Sequence, residues 1–71
     1  MEKTIMMMAK RPIAGTLRNM AVGAVEYFPL SQFPAVRNAP YYGMRMEKAL
    51  GWEFKYEVED EHLRVKVTRI A

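Results

Sequence analysis

Apolar and polar residues alternate most regularly at the end of this chain. Trp52, Phe54, Tyr56 and Val58 are interleaved with Glu53, Lys55 and Glu57, and Leu63, Val65 and Val67 with Arg64, Lys66 and Thr68. Period two on both arms, around the polar stretch Glu59-Asp60-Glu61-His62, predicts a β-hairpin from about Trp52 to Ile70. Setting Val58 opposite Leu63, Tyr56 opposite Val65 and Phe54 opposite Val67 puts all six on one face. Glu57 then meets Arg64 and Glu53 meets Thr68 on the other. The paired outer face and apolar inner face describe a platform for a helix rather than a binding surface.

Upstream the pattern changes. Ser31 to Leu50 reads as helical, with Gly51 as the glycine after the helix end and Lys48 suited to the last turn. Pro40 divides the readings, since a proline inside a helix costs about 3 kcal/mol. Either Pro34 starts a helix that bends at Pro40, or Asn38 caps one whose first turn holds Pro40. The second is preferred, giving a main helix over Ala39–Leu50 after a turn at Pro34–Arg37. Leu17 to Leu30 reads as a first hairpin: Leu17, Met20 and Val22 run into a turn at Gly23, and Ala24 to Phe28 form a strand that Pro29 ends. Residues 1–15 read as a flexible tail and 16–71 as one domain. The expected fold is α+β, a two-layer β-β-α-β-β domain with one helix on an antiparallel sheet.

The 71 residues contain no Cys, which excludes a disulfide, a thiolate nucleophile and a zinc–sulfur site. No stretch is apolar for long enough to cross a membrane, and a cytoplasmic location is expected. The net charge of +3 is unevenly spread. Residues 1–51 hold seven Lys/Arg against three Asp/Glu, and 52–71 hold four against five. A cationic first part suits a phosphate-bearing partner.

On the helical reading, Arg37, Tyr41, Arg45 and Lys48 follow at spacings of four, four and three and share one stripe, flanked by Asn38 and Tyr42. Val36, Ala39, Pro40, Gly43, Met46 and Leu50 form the opposite, sheet-facing stripe. Arg and Lys grip phosphates, and Asn and Tyr reach or stack on bases. The expected nucleic-acid contacts are therefore Arg37, Asn38, Tyr41, Arg45, Lys48 and, from the basic N-terminal group, Arg18. For any one of them, a solvated helix face is the plainer role. Arg69 reads as structural, stacked on Trp52.

No catalytic or metal constellation is present. His62 is the sole histidine and sits in an acidic turn, Ser31 is the sole serine, and the four glycines are scattered. The expected protein is a non-enzymatic, cofactor-free DNA-binding module. A protein-interaction module, acting on a host protein or as a small homo-oligomer such as a homodimer, is the alternative, motivated by Tyr27, Tyr41 and Tyr42.

Val22-Gly23, Phe28-Pro29-Leu30, Val36-Arg37, Leu50-Gly51, Phe54 and Val67-Thr68-Arg69-Ile70 together resemble a group of small uncharacterised proteins of bacteriophages and mobile elements, including those of gut Bacteroides-type hosts. The resemblance covers about residues 20–70, and Pro40 departs from the small helix former expected there. It implies a phage or mobile-element origin and, by association, a nucleic-acid or host-factor partner.

Overall fold

The computed structural model describes residues 9–71. Three strands, β1 (Val25–Pro29), β2 (Phe54–Glu59) and β3 (Arg64–Arg69), form an antiparallel sheet in the order β1-β3-β2. The helices are α1 (Ile13–Arg18), α2 (Phe33–Tyr42) and α3 (Arg45–Ala49), with single 3-10 turns at Leu30–Gln32 and Asp60–His62. The fold class is α+β. Both edge strands run antiparallel to β3, so they are parallel to each other. The path β1–α2–α3–β2 is thus a split β-α-β unit with β3 inserted in its gap.

This differs from the expected β-β-α-β-β order. The segment read as a first strand, Leu17 to Val22, forms none: Leu17 and Arg18 are the last residues of α1, a turn follows, and Leu17 and Met20 enter the core. Pro12, with φ −64°, sits at the N-cap, and the Thr16 hydroxyl donates to the Pro12 carbonyl at 2.5 Å. The turn at Gly23 does form, with φ +89°, but it joins α1 to β1. Strand β1 then pairs with the last strand of the chain, Phe28 opposite Val65 and Val25 opposite Thr68.

The expected tail of residues 1–15 lies partly outside the described residues. Within them, the Arg11 backbone exchanges two hydrogen bonds of 3.0 Å with the Gln32 side chain. The Arg11 guanidinium donates to the Tyr27 carbonyl at 2.6 Å, pairs with Glu26 at 2.9 Å and lies over the Phe28 ring. Ile13–Gly15 belong to α1.

The expected main helix over Ala39–Leu50 is replaced by two. Helix α2 opens at Phe33 with Pro34 in its first turn, where a missing N–H is harmless. Pro40 leaves the Val36 carbonyl without its helical donor. The helix ends two residues later, at Tyr42, with the Gly43 and Met44 N–H groups both on the Ala39 carbonyl at 2.8 and 3.0 Å. Gly43 is also where α1 approaches: a Cβ there would stand 3.4 Å from that of Ala14. Helix α3 ends as the sequence indicates. Gly51 takes φ +96° and donates to the Lys48 carbonyl, while Trp52 donates to that of Glu47, the Schellman arrangement.

The closing hairpin is present, but its register is shifted by two residues. Val58 faces Val65, Tyr56 faces Val67 and Phe54 faces Arg69. The four-residue loop 60–63 ends on Leu63, a left-handed residue at φ 50°, and Glu59 closes it against Arg64 with a 2.6 Å ion pair. The expected pairs Glu57–Arg64 and Glu53–Thr68 give way to Glu57–Lys66 and Lys55–Thr68. A shift of two keeps every side chain on its own face.

Leu17, Met20, Phe28, Val36, Ala39, Met44, Val65 and Val67 make the core, on one side of the sheet. Its other side, with Val25, Tyr27, Lys55, Glu57, Lys66 and Thr68, carries no helix among the described residues. Among the described residues no helix is long and apolar enough to cross a membrane.

Candidate functional site

Helix α2 packs against β1, and β2 is the strand least covered. On the core side of β2, Phe54 and Tyr56 are half-buried and Val58 is exposed. Between this strand and the two helices lies a cleft of about 490 Å³ lined by Arg37, Asn38, Pro40, Tyr41, Lys48, Trp52, Glu53, Phe54 and Tyr56.

The elements place each lining group. Arg37, Asn38 and Tyr41 lie at successive helical spacings on α2, and the Arg37 guanidinium sits 5.5 Å over the Phe33 ring one turn earlier. The break at Gly43–Met44 turns α3 so that Lys48 comes back over Tyr41, its Nζ 4.7 Å from the ring centre. The Schellman end of α3 then carries Trp52 to the mouth of β2. Arg69 stacks on the indole at 3.5 Å and donates to the Met20 carbonyl at 2.9 Å, which holds the ring. Trp52 and Phe54 meet at 6.4 Å and 54°, a tilted aromatic pair. Burial, and then the neighbouring Tyr41, pushes the Tyr56 phenol above its ordinary value. Tyr56 is thus a neutral hydroxyl at physiological pH, able to donate or accept a hydrogen bond.

Of the six residues expected to contact nucleic acid, Arg37, Asn38, Tyr41 and Lys48 line this cleft together. Arg45 is exposed at the start of α3 and does not line it. Arg18 lies on α1, donating to Glu47 Oε2 at 3.1 Å and to the Gly43 carbonyl, and so ties α1 to α3. The other Glu47 oxygen is buried without a hydrogen-bond partner. The expected contact stripe therefore divides between two helices and turns toward the sheet instead of projecting from it.

The aromatic wall of Trp52, Phe54 and Tyr56 was not among the expected contacts, because the hairpin reads as a platform. The readable signal was an excess of rings. Four consecutive alternating positions carry large apolar groups, more than a ten-residue helix and a five-residue helix can cover. Arg69 on Trp52 does take the expected structural position.

Chemically the cleft offers cations at its rim, flat rings on its wall, and the Asn38 amide and Tyr56 hydroxyl between them. Glu53 is its one acidic lining group. Among the described residues no group of His, Asp and Glu is arranged to hold a metal ion, and His62 is exposed in the hairpin loop. No family model, curated protein or solved structure matches this chain.

Proposed function

We propose that this domain is a non-enzymatic binder of single-stranded nucleic acid, DNA in the first instance, and that the cleft between α2, α3 and β2 receives it. One observation carries the reading. Four polar and cationic residues that share a pattern in the sequence converge on three aromatic residues of the following strand segment. Bases stack on Tyr41, Trp52 and Phe54, since every base has a π-face and such stacking contributes about 1–3 kcal/mol per base. Arg37 and Lys48 take the flanking phosphates, and Asn38 and Tyr56 face base edges. The concavity favours a single strand over a duplex. A cleft of about 490 Å³ is the size of a small-ligand site, with room for a nucleotide and no room for a double helix.

Trp52 is the chain's single tryptophan and lines the cleft, so its fluorescence reports occupancy directly. Oligothymidylate is expected to quench it and to bind with an affinity that falls as salt rises. Replacing both Arg37 and Lys48 by Ala should weaken binding about tenfold or more and flatten the salt slope by roughly one to two units. A duplex of equal length should compete poorly, and an RNA oligonucleotide in parallel sets the sugar preference. No quenching and no anisotropy change at about 50 mM salt, where phosphate contacts are strongest, would end the proposal.

A second reading rests on a different observation. Tyr42, Met46 and Leu50 are 81%, 73% and 73% exposed, and Tyr42 borders an apolar hollow shared with Ile13, Ala14 and Ala39. A protein partner on that side would survive nuclease treatment in a pull-down, whereas partners recruited through nucleic acid would not.

A further inference from the structure

We infer that a second copy of this chain docks on the open edge of β2, joining two sheets into one of six strands about a two-fold axis. The inference is independent of nucleic-acid binding and begins with a contrast between the two sheet edges.

Backbone groups alternate in direction along a strand. Arg69 donates to the Ala24 carbonyl and Leu30 to that of Leu63, so the even-numbered residues of β1 face β3 and Val25, Tyr27 and Pro29 face outward. That edge is blocked. Pro29 has no N–H, and Arg11 occupies the Tyr27 carbonyl. On β2 the alternation runs from Glu53, which exchanges bonds with Ile70 and Ala71. Lys55, Glu57 and Glu59 therefore face β3, and Phe54, Tyr56 and Val58 present their N–H and C=O groups outward. Among the described residues no side chain reaches those groups.

The segment Phe54-Lys55-Tyr56-Glu57-Val58 is its own complement when reversed. Centred on Tyr56, an antiparallel pairing sets Phe54 against Val58 of the second copy and Tyr56 against its equivalent. All three outward residues then exchange backbone bonds. The intervening pairs are Lys55 against Glu57 and Glu57 against Lys55, at the non-hydrogen-bonded positions where side chains stand closest. Slipping two residues either way puts Lys55 opposite Lys55 or Glu57 opposite Glu57, so charge selects one register. Lys55 and Glu57 are exposed on the face opposite the core, where they pair with each other at 3.9 Å in the single chain and exchange that contact for the two cross-strand pairs. On the other face, Phe54 of the second copy covers Val58, which is 42% exposed in the single chain. Both copies carry their helices on that same face, and their clefts meet across the axis.

Light scattering of the purified chain from low to high micromolar concentration should show a monomer–dimer equilibrium. Lys55→Glu alone and Glu57→Lys alone each place like charges opposite one another and should weaken dimerisation about tenfold. An equimolar mixture of the two variants restores both opposite-charge pairs and should recover the dimer. Glu57→Lys also sets two lysines opposite each other within the chain, at 57 and 66, so the native protein supplies a second test. Amide exchange at Phe54, Tyr56 and Val58 should slow as concentration rises, while exchange at Val25 and Tyr27 should not change. A strict monomer at high micromolar concentration would overturn the inference. So would a dimer indifferent to both charge variants, or one that leaves the three β2 amides unprotected.

Discussion

Glu59 and Arg64 close the hairpin loop at 2.6 Å, and the pair carries a consequence for pH. The hydrogen bond from Arg64, more than any other contact, holds the Glu59 carboxyl below the usual carboxylate range. A carboxyl depressed in the folded chain adds stability above its unfolded value and loses that contribution as pH falls through the folded one. The native domain should therefore lose thermal stability below about pH 4.5, the unperturbed value, and Glu59→Gln should reduce that acid loss. Melting curves of both proteins between neutral and acid pH check this. The effect is small, because both side chains are partly exposed and solvent screens them. Other residue-scale contacts follow the same economy. Arg64, Arg69, Lys48, Arg37 and Arg11 each lie over an aromatic ring. Such contacts are worth about 0.5–1 kcal/mol when exposed, and they cover ring surface that so small a core leaves open.

Among the elements, two glycines predict opposite results for one substitution. Gly51 holds a left-handed conformation that ends α3 and aims Trp52 at the cleft, so Gly51→Ala should cost about 1 kcal/mol and shift the Trp52 emission. Gly15 lies inside α1 with nothing within 4 Å of an added Cβ, so Gly15→Ala should add about 0.5–1 kcal/mol. Chemical denaturation followed by circular dichroism and by Trp52 fluorescence measures both. The elements also show where the sequence was legible. Alternation and the Gly51 stop are local signals, and both read through. Helix α1 carries the same kind of signal only at Ile13 and Leu17, because six residues leave no room for a third repeat before the Gly23 turn. The hairpin register depended on Leu63 adopting φ 50°, which a leucine's own preferences disfavour and which the loop geometry imposes. The division of the long helix follows from Pro40 and Gly43 acting together, although only Pro40 looked disruptive.

Among the described residues the core cluster of eight centres on Phe28, the largest fully enclosed side chain. A chain of this size has a stability of about 4–10 kcal/mol, and truncating a buried phenylalanine removes about 3–5 kcal/mol. Phe28→Ala should therefore leave the domain marginally folded at room temperature, whereas Phe28→Leu should lower the urea midpoint and keep a cooperative transition. The pairing of β1 with β3 joins segments about forty residues apart in the chain, and nothing local announces it. Four of the six expected contact residues meet in one cleft because helical spacing is local and survives the break after Tyr42. Arg18 is drawn away by Glu47, and the aromatic wall depends on tertiary placement, since the helices leave β2 only partly covered.

The clasp of Arg11 on β1 has a bearing on how copies of the chain can assemble. A sheet with two adhesive edges can grow without limit, each added molecule exposing a fresh end. Here the guanidinium on the Tyr27 carbonyl, together with Pro29, leaves one end short of an acceptor and a donor for a further strand. The pairing we propose through the other end would use the same surface on both molecules and be complete after a single addition. In that proposed dimer Arg11 would act as a chain terminator, setting an upper bound on assembly from a residue remote from the contact itself.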